Sequence, residues 1–199
     1  MKTIYLLLIA LLATACNSDD SVDPASLLPP ITMTGENTFG CLIDGKFFRP
    51  RDGRSTINSD NKGLRIITTE TTNVEYDIRD FASERTSSLL IHLENFQNNS
   101  SSTYEFQESN GLSGIDGLNN NYAHCRIWKN TELGYQRYVT YPNSGIIQLN
   151  NQIIQSQADY HNSTFQLKLI NTQISNDTIF IELGRFDLES FSLQWKDWD

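Results

Sequence analysis

No stretch of this 199-residue chain stays apolar for the roughly 20 residues that a membrane-spanning helix requires. The longest apolar run, from Ile4 to Ala13, is half that length. Basic residues are the minority, 15 against 24 acidic ones, for a formal net charge of −9. Such an acid surplus repels phosphate backbones and argues against a DNA or RNA partner. Histidine and cysteine are scarce, three of each. No two histidines stand at the i, i+2 or i, i+4 spacing of a metal pair, and no thiol pair has zinc-finger spacing, so neither a metal nor a cofactor is expected. A Gly-x-Ser-x-Gly elbow, a Gly-rich phosphate loop and a His-Glu-x-x-His helix are all missing. So is any dozen-residue window with a sustained 3.6 period, which argues against an α/β arrangement.

What is present begins with a leader. Lys2 supplies a positive n-region, and the ten apolar residues after it have the length of a signal h-region. The run closes on Leu12-Ala13-Thr14-Ala15 directly before Cys16, which resembles a bacterial lipobox, although the Leu stands one place further out than that pattern prefers. The resemblance implies a signal peptide over 1–15, cleavage before Cys16, and a membrane partner held through lipid on that cysteine. An ordinary signal-peptidase site reads the same small residues, so plain secretion is the competing expectation. Several acyl chains would make anchoring permanent.

Residues 16–36 are expected to be a flexible, acidic and polar tether containing Pro24, Pro29 and Pro30. Asp19-Asp20 just after the cysteine resembles the surface-export signal of Bacteroidota lipoproteins, against the plainer reading of a soluble spacer. The expected location is therefore the outer membrane, on the cell surface or else on the periplasmic face.

From Phe39 onward the pattern changes to period two, the mark of strands with one buried face. Phe39–Ile43 and Lys46–Arg49 flank Asp44-Gly45, a pair that predicts a hairpin through a type I′ turn. Further strands are expected at 64–69, 74–79, 89–94, 104–106, 122–128, 136–141, 145–149, 164–170, 178–183 and 186–195. Phe165, Leu167 and Leu169 alternate cleanly with polar neighbours, as do Ile179, Ile181 and Leu183. A short helix is open around 151–160, and 95–103 and 108–121 read as loops. The expected fold class is all-β, a single antiparallel β-sandwich or barrel-like domain over 37–199 with roughly 9–12 strands.

Two segments resemble a family of uncharacterised Bacteroidota lipoproteins. One is Gly35-Glu36-Asn37-Thr38-Phe39-Gly40-Cys41, matching a Gly-x-Asn-Thr-Phe-Gly-Cys opening that runs into a hairpin. The other is Gly184-Arg185-Phe186-Asp187, matching a closing Gly-Arg-Phe-Asp strand, with Ser163–Leu167 similar to an intervening strand. The family often has Asn-Gly where Asp44-Gly45 stands and a Trp where Phe48 stands. The resemblance implies an envelope β domain of unknown function, and it carries no site residue.

With Cys16 assigned to lipid, Cys41 and Cys125 are left, both in expected strands outside the reducing cytosol. They are a candidate disulfide, with two buried free thiols as the equal alternative. Trp128, Tyr135 and Tyr138 are candidate ligand-facing aromatics, since an exposed stacking platform is how many sugar-binding modules work; core packing is the plainer reading. Carboxylate neighbours such as Glu105 with Glu108, or Asp187 with Glu189, read as solvated surface rather than as catalytic pairs. The Asp116-Gly117 loop falls short of a calcium site. No catalytic residue is expected. The leading function is a non-catalytic binding or interaction module for a glycan or an envelope protein; the alternatives are a carrier of a small apolar ligand in a barrel cavity and, behind it, a carbohydrate-active enzyme.

Overall fold

A computed structural model describes residues 22–54, 61–68, 72–96, 101–112, 117–154 and 158–199. Eleven strands form one antiparallel sheet: β1 (Thr38–Ile43), β2 (Lys46–Phe48), β3 (Leu64–Thr68), β4 (Val74–Asp80), β5 (Ser87–Leu93), β6 (Ser101–Glu105), β7 (Tyr122–Asn130), β8 (Gly134–Val139), β9 (Gly145–Ile154), β10 (Ala158–Asn171) and β11 (Thr178–Glu189). Their order is β2-β1-β11-β10-β8-β7-β5-β4-β3, with β9 also on β10 and β6 beyond it. The sheet curls into a half-barrel, so the all-β, barrel-like expectation holds. Its two ends meet where Arg51, just past β2, bridges Asp80 at the end of β4. There the Arg51 amide donates to the Arg79 carbonyl (3.0 Å), and the guanidinium holds the Asp80 carboxylate through two 2.7 Å bonds.

Alternate residues of the strands fill the concave side: Val74, Tyr76 and Ile78 from β4, Leu89, Ile91 and Leu93 from β5, Phe165, Leu167 and Leu169 from β10. Period two in the sequence is thus the core pattern. The Asp44-Gly45 turn has positive φ at both residues (49° and 72°), as the hairpin requires. Asp44 does more than turn, because its carboxylate also accepts the Phe180 amide at 2.9 Å.

Four expectations are corrected. The strands expected at 178–183 and 186–195 are one strand with a bulge. Leu183 takes φ 52° and the pairing register slips opposite Phe165–Leu167. The extra residue reverses the alternation, so Ile179 and Ile181 face the core, Leu183 turns outward, and Phe186 and Leu188 resume inside. Gly184 permits this, since a Cβ there would lie 2.3 Å from the Phe165 ring. Second, that strand ends at Glu189 instead of running to Trp195. The Glu189 carboxylate caps a short helix, α1 (Ser190–Leu193), by accepting the amides of Phe191 (2.9 Å) and Ser192 (2.8 Å). Third, 151–154 and 158–160 are strand, not helix, and belong to the β9–β10 hairpin.

The fourth correction concerns the tether. From Pro24 the segment 16–36 lies against the domain. It forms a 3-10 turn at Pro24–Leu27, buries Leu28, and rests Pro29 over Gly40. Asp187 then accepts the amides of Thr34 (3.0 Å), Gly35 (2.7 Å) and Glu36 (3.4 Å). Burial alone would raise this carboxyl, but the amide donors outweigh it and hold it below the usual range. Asn37, at φ 53°, accepts the Glu189 amide (2.9 Å) and donates to the Ser192 hydroxyl (2.7 Å). The Gly35–Cys41 and Gly184–Asp187 segments are therefore two halves of one clasp, and their conspicuous residues serve architecture.

Candidate functional site

β7 and β8 decide where the candidate aromatics point. Their register pairs Cys125 with Tyr138, Arg126 with Arg137 and Trp128 with Tyr135. Cys125 and Tyr138 share the core side; Trp128 and Tyr135 share the outer one. Tyr138 is thus withdrawn as a ligand-facing residue. It is fully buried, and its hydroxyl donates to Asp177 at 2.5 Å. The physical reason is parity, because residues 135 and 138 are an odd number apart along a strand.

Cys41 and Cys125 are also interior, and both are free thiols, so the candidate bridge is not formed. They project into the core from strands that are not neighbours in the sheet. Burial raises both thiols, with Cys125 adding to the shift on Cys41 and Asp44 to that on Cys125, which reaches about 12. Neither is a ready nucleophile. Cys16 and Asp116 lie outside the described residues.

On the outer side, Trp128 and Tyr135 are half-buried and pack edge to face, 5.2 Å between ring centres. Two guanidiniums lie on these rings: Arg85 is 4.2 Å from the centre of Trp128 and Arg126 is 3.7 Å from that of Tyr135. The next row across the sheet reads Arg79, Ser88, Arg126, Arg137, each directly opposite the next. Arg137 donates to the Gly111 carbonyl, at 2.5 Å, and thereby holds the incoming loop against the strand.

One row further on are Asp77, Leu90, His124 and Val139, then Glu75, His92 and Tyr122. Here the outer face is roofed. Gly117 sits so close over Tyr122 that a Cβ would strike the hydroxyl, and Ser109 anchors the same loop to the Thr140 carbonyl. Beneath it His92 Nδ1 lies 3.1 Å from Glu75 Oε1, and the Tyr122 ring stacks on the imidazole at 4.5 Å. Asp77 binds both Arg65 (2.6 Å) and Arg79 (2.8 Å). Burial, helped by Arg137 and opposed by Asp77, lowers His124 to about 4.

A histidine held by a carboxylate is the arrangement a general base uses. In this roofed cluster, however, His92 and Glu75 are each about 1% exposed, so no substrate reaches the imidazole. The dyad shapes the fold beneath the loop. His161 is an interior strand residue whose Nδ1 is 2.7 Å from the Tyr76 hydroxyl. Asp187 and Glu189 are engaged by backbone amides, which removes them as an acid–base pair. Among the described residues no group of three or more His, Cys, Asp or Glu side chains is placed to hold a metal ion.

Two clefts of the surface are open. One of about 360 Å³ lies over β9–β11 and is lined by Ile31, Ile146, Phe165 and Leu183. Another, of about 700 Å³, separates Leu27 and Pro29 from the C-terminal Lys196–Asp199. Comparison with protein-family models, with curated proteins and with solved structures finds no match.

The sequence singles out Trp128 and Tyr135 as candidates but not the arginines that lie on them. The signal was there: Arg126 and Trp128, then Tyr135 and Arg137, are two i, i+2 pairs on successive strands. Only the register shows that they converge.

Proposed function

We propose that this chain is the precursor of a lipid-anchored envelope protein of the Bacteroidota type, whose β domain is a non-catalytic binding module contacting its ligand through the outer face of β7 and β8. The observation that carries the binding reading is the exposed basic and aromatic surface of Arg85, Arg126, Trp128, Tyr135 and Arg137 on an otherwise acidic chain. Aromatic and arginine side chains that sit together at a surface are the groups that dominate binding interfaces. The anchor reading is supported by the leader and by Cys16 after Ala13-Thr14-Ala15. If Cys16 carries lipid, the seven residues Asn17–Asp23 allow at most roughly 25 Å between lipid and domain, because the chain is already docked by Pro24.

The runner-up, a carrier of a small apolar ligand, has in its favour the open cleft beside Ile31, Ile146 and Leu183. The deciding experiment has two parts. Mass spectrometry of the mature protein should show a chain that starts at Cys16 and carries diacylglycerol; an unmodified Cys16 or another start removes the anchor. A screen of the purified chain against envelope glycans, lipids and proteins should yield a ligand whose affinity falls on Trp128→Ala, and uniform silence removes the binding module.

A further inference from the structure

The chain holds nine arginines, and five of them, Arg65, Arg79, Arg85, Arg126 and Arg137, gather on the outer side of β3, β4, β5, β7 and β8. Two of the five are neutralised, since Arg65 and Arg79 share Asp77. The other carboxylate of this face, Glu75, is buried against His92. Arg85, Arg126 and Arg137 have no carboxylate partner among the described residues. Moreover, Arg126 and Arg137 are directly opposite on neighbouring antiparallel strands, a like-charge pairing that destabilises a sheet. An acid at either position would relieve it, and a chain with 24 acidic residues has placed none there.

The aromatic rings present two of these charges, Arg85 and Arg126, while Arg137 is held through one donor on the Gly111 carbonyl. A guanidinium lying flat on a ring keeps its in-plane N–H donors free at the edge, where they match the two oxygens of a carboxylate or sulfate. Ser88 sits between Arg79 and Arg126 as a neutral hydroxyl, and the row of four strands extends about 14 Å. Charge spacing then discriminates among polyanions. Duplex DNA carries about one charge per 1.7 Å of axis, a density that the chain's net −9 opposes. A saccharide with one acid group per sugar unit or fewer matches two or three guanidiniums that no described carboxylate neutralises, and the half-exposed rings of Trp128 and Tyr135 offer apolar surface to its C–H faces.

We propose that the outer face of β4, β5, β7 and β8 binds an acidic polysaccharide, its carboxylate or sulfate groups paired with Arg126 and Arg137 and its sugar rings seated against Trp128 and Tyr135. This rests on the binding-module reading and specifies its ligand.

The test uses the full chain in detergent, titrated with polygalacturonate, dextran sulfate and neutral dextran, with polyglutamate and a single-stranded oligonucleotide as anionic controls. Polygalacturonate or dextran sulfate should bind, with affinity falling as salt rises, and neutral dextran should not. Arg126→Ser with Arg137→Ser should weaken binding at least about tenfold, the loss expected when a charge-assisted pair is removed. Trp128→Ala should weaken it several-fold for the saccharides and leave polyglutamate unaffected. Should the double serine variant unfold, Arg126→Lys with Arg137→Lys keeps the charge but loses the forked donors, and a several-fold loss is still expected.

Neutral dextran binding as tightly as the acidic polymers overturns the proposal. So does unchanged affinity in a folded arginine variant, or equal binding of the oligonucleotide or polyglutamate. A neutral glycan or a protein that needs Trp128 would sink the acidic ligand while sparing the binding module, whereas a silent panel sinks both.

Discussion

Within β7, Ala123 and Cys125 face the concave side and are wholly enclosed, while His124, Arg126 and Trp128 between and beyond them face the other way. The two sides of these strands solve different problems. Inside, apolar side chains from the strands meet one another, and two tyrosine hydroxyls find partners, Tyr76 in His161 and Tyr138 in Asp177. Outside, three arginines stand without a carboxylate partner among the described residues, two of them opposed. An interior organised for stability beside a surface that tolerates repulsion marks the surface as the side kept for something else.

The largest expected effect lies inside. Ile91 is fully buried opposite Tyr76 and Ala123, so Ile91→Ala should cost about 2–5 kcal/mol through lost burial and a cavity. Urea unfolding would measure it, and a loss below about 1 kcal/mol would mean the interior is not the packed core described.

Acid should strike both sides at once. Burial holds His161 at about 4, and burial with Arg137 does the same for His124. In the unfolded chain both titrate near 6.5, so below that pH the unfolded state binds the extra protons. Stability should therefore be flat above about pH 6.5 and decline as pH falls toward 4, by up to roughly 3 kcal/mol per histidine. His124→Gln should make that decline shallower; an unchanged slope would place His124 in water, not beneath the loop.

Next is the clasp. Asp187→Ala leaves the amides of Thr34, Gly35 and Glu36 without their acceptor and should cost about 1–3 kcal/mol. It should also open Glu36 to a glutamate-specific protease, while equal resistance in both proteins would show that the strap is held by Leu28 alone. The smallest effect is expected outside, where Trp128→Ala should change stability by no more than about 1 kcal/mol, the size of its contacts with Tyr135 and Arg85. A loss as large as that of Ile91→Ala would erase the distinction between the two sides.

Much of the architecture was legible because it is local. The Asp44-Gly45 hairpin follows from backbone conformation, and the alternation in β4, β5 and β10 follows from the pleat. Legibility failed wherever one residue changed the count. A single left-handed residue at Leu183 reversed the face of everything after it in β11, and the one hint of a bulge in the composition of that strand is the glycine beside it, Gly184. The same parity separated Tyr138 from Trp128 and Tyr135, which looked like one group in the sequence. The strap failed differently, because Pro24–Glu36 is polar enough to read as a free tether, and what fastens it includes a carboxylate some 150 residues away.

By itself, then, the sequence determined the class of fold, its first turn and the inward half of the strands, since these follow from periodicity and turn chemistry over a few residues. Tertiary structure alone decided that Arg126 meets Arg137, that His92 is roofed and out of reach, and that Asp187 clasps Gly35. Each of these depends on strand register and long-range pairing, which bring together residues whose spacing along the chain says nothing of their distance in space.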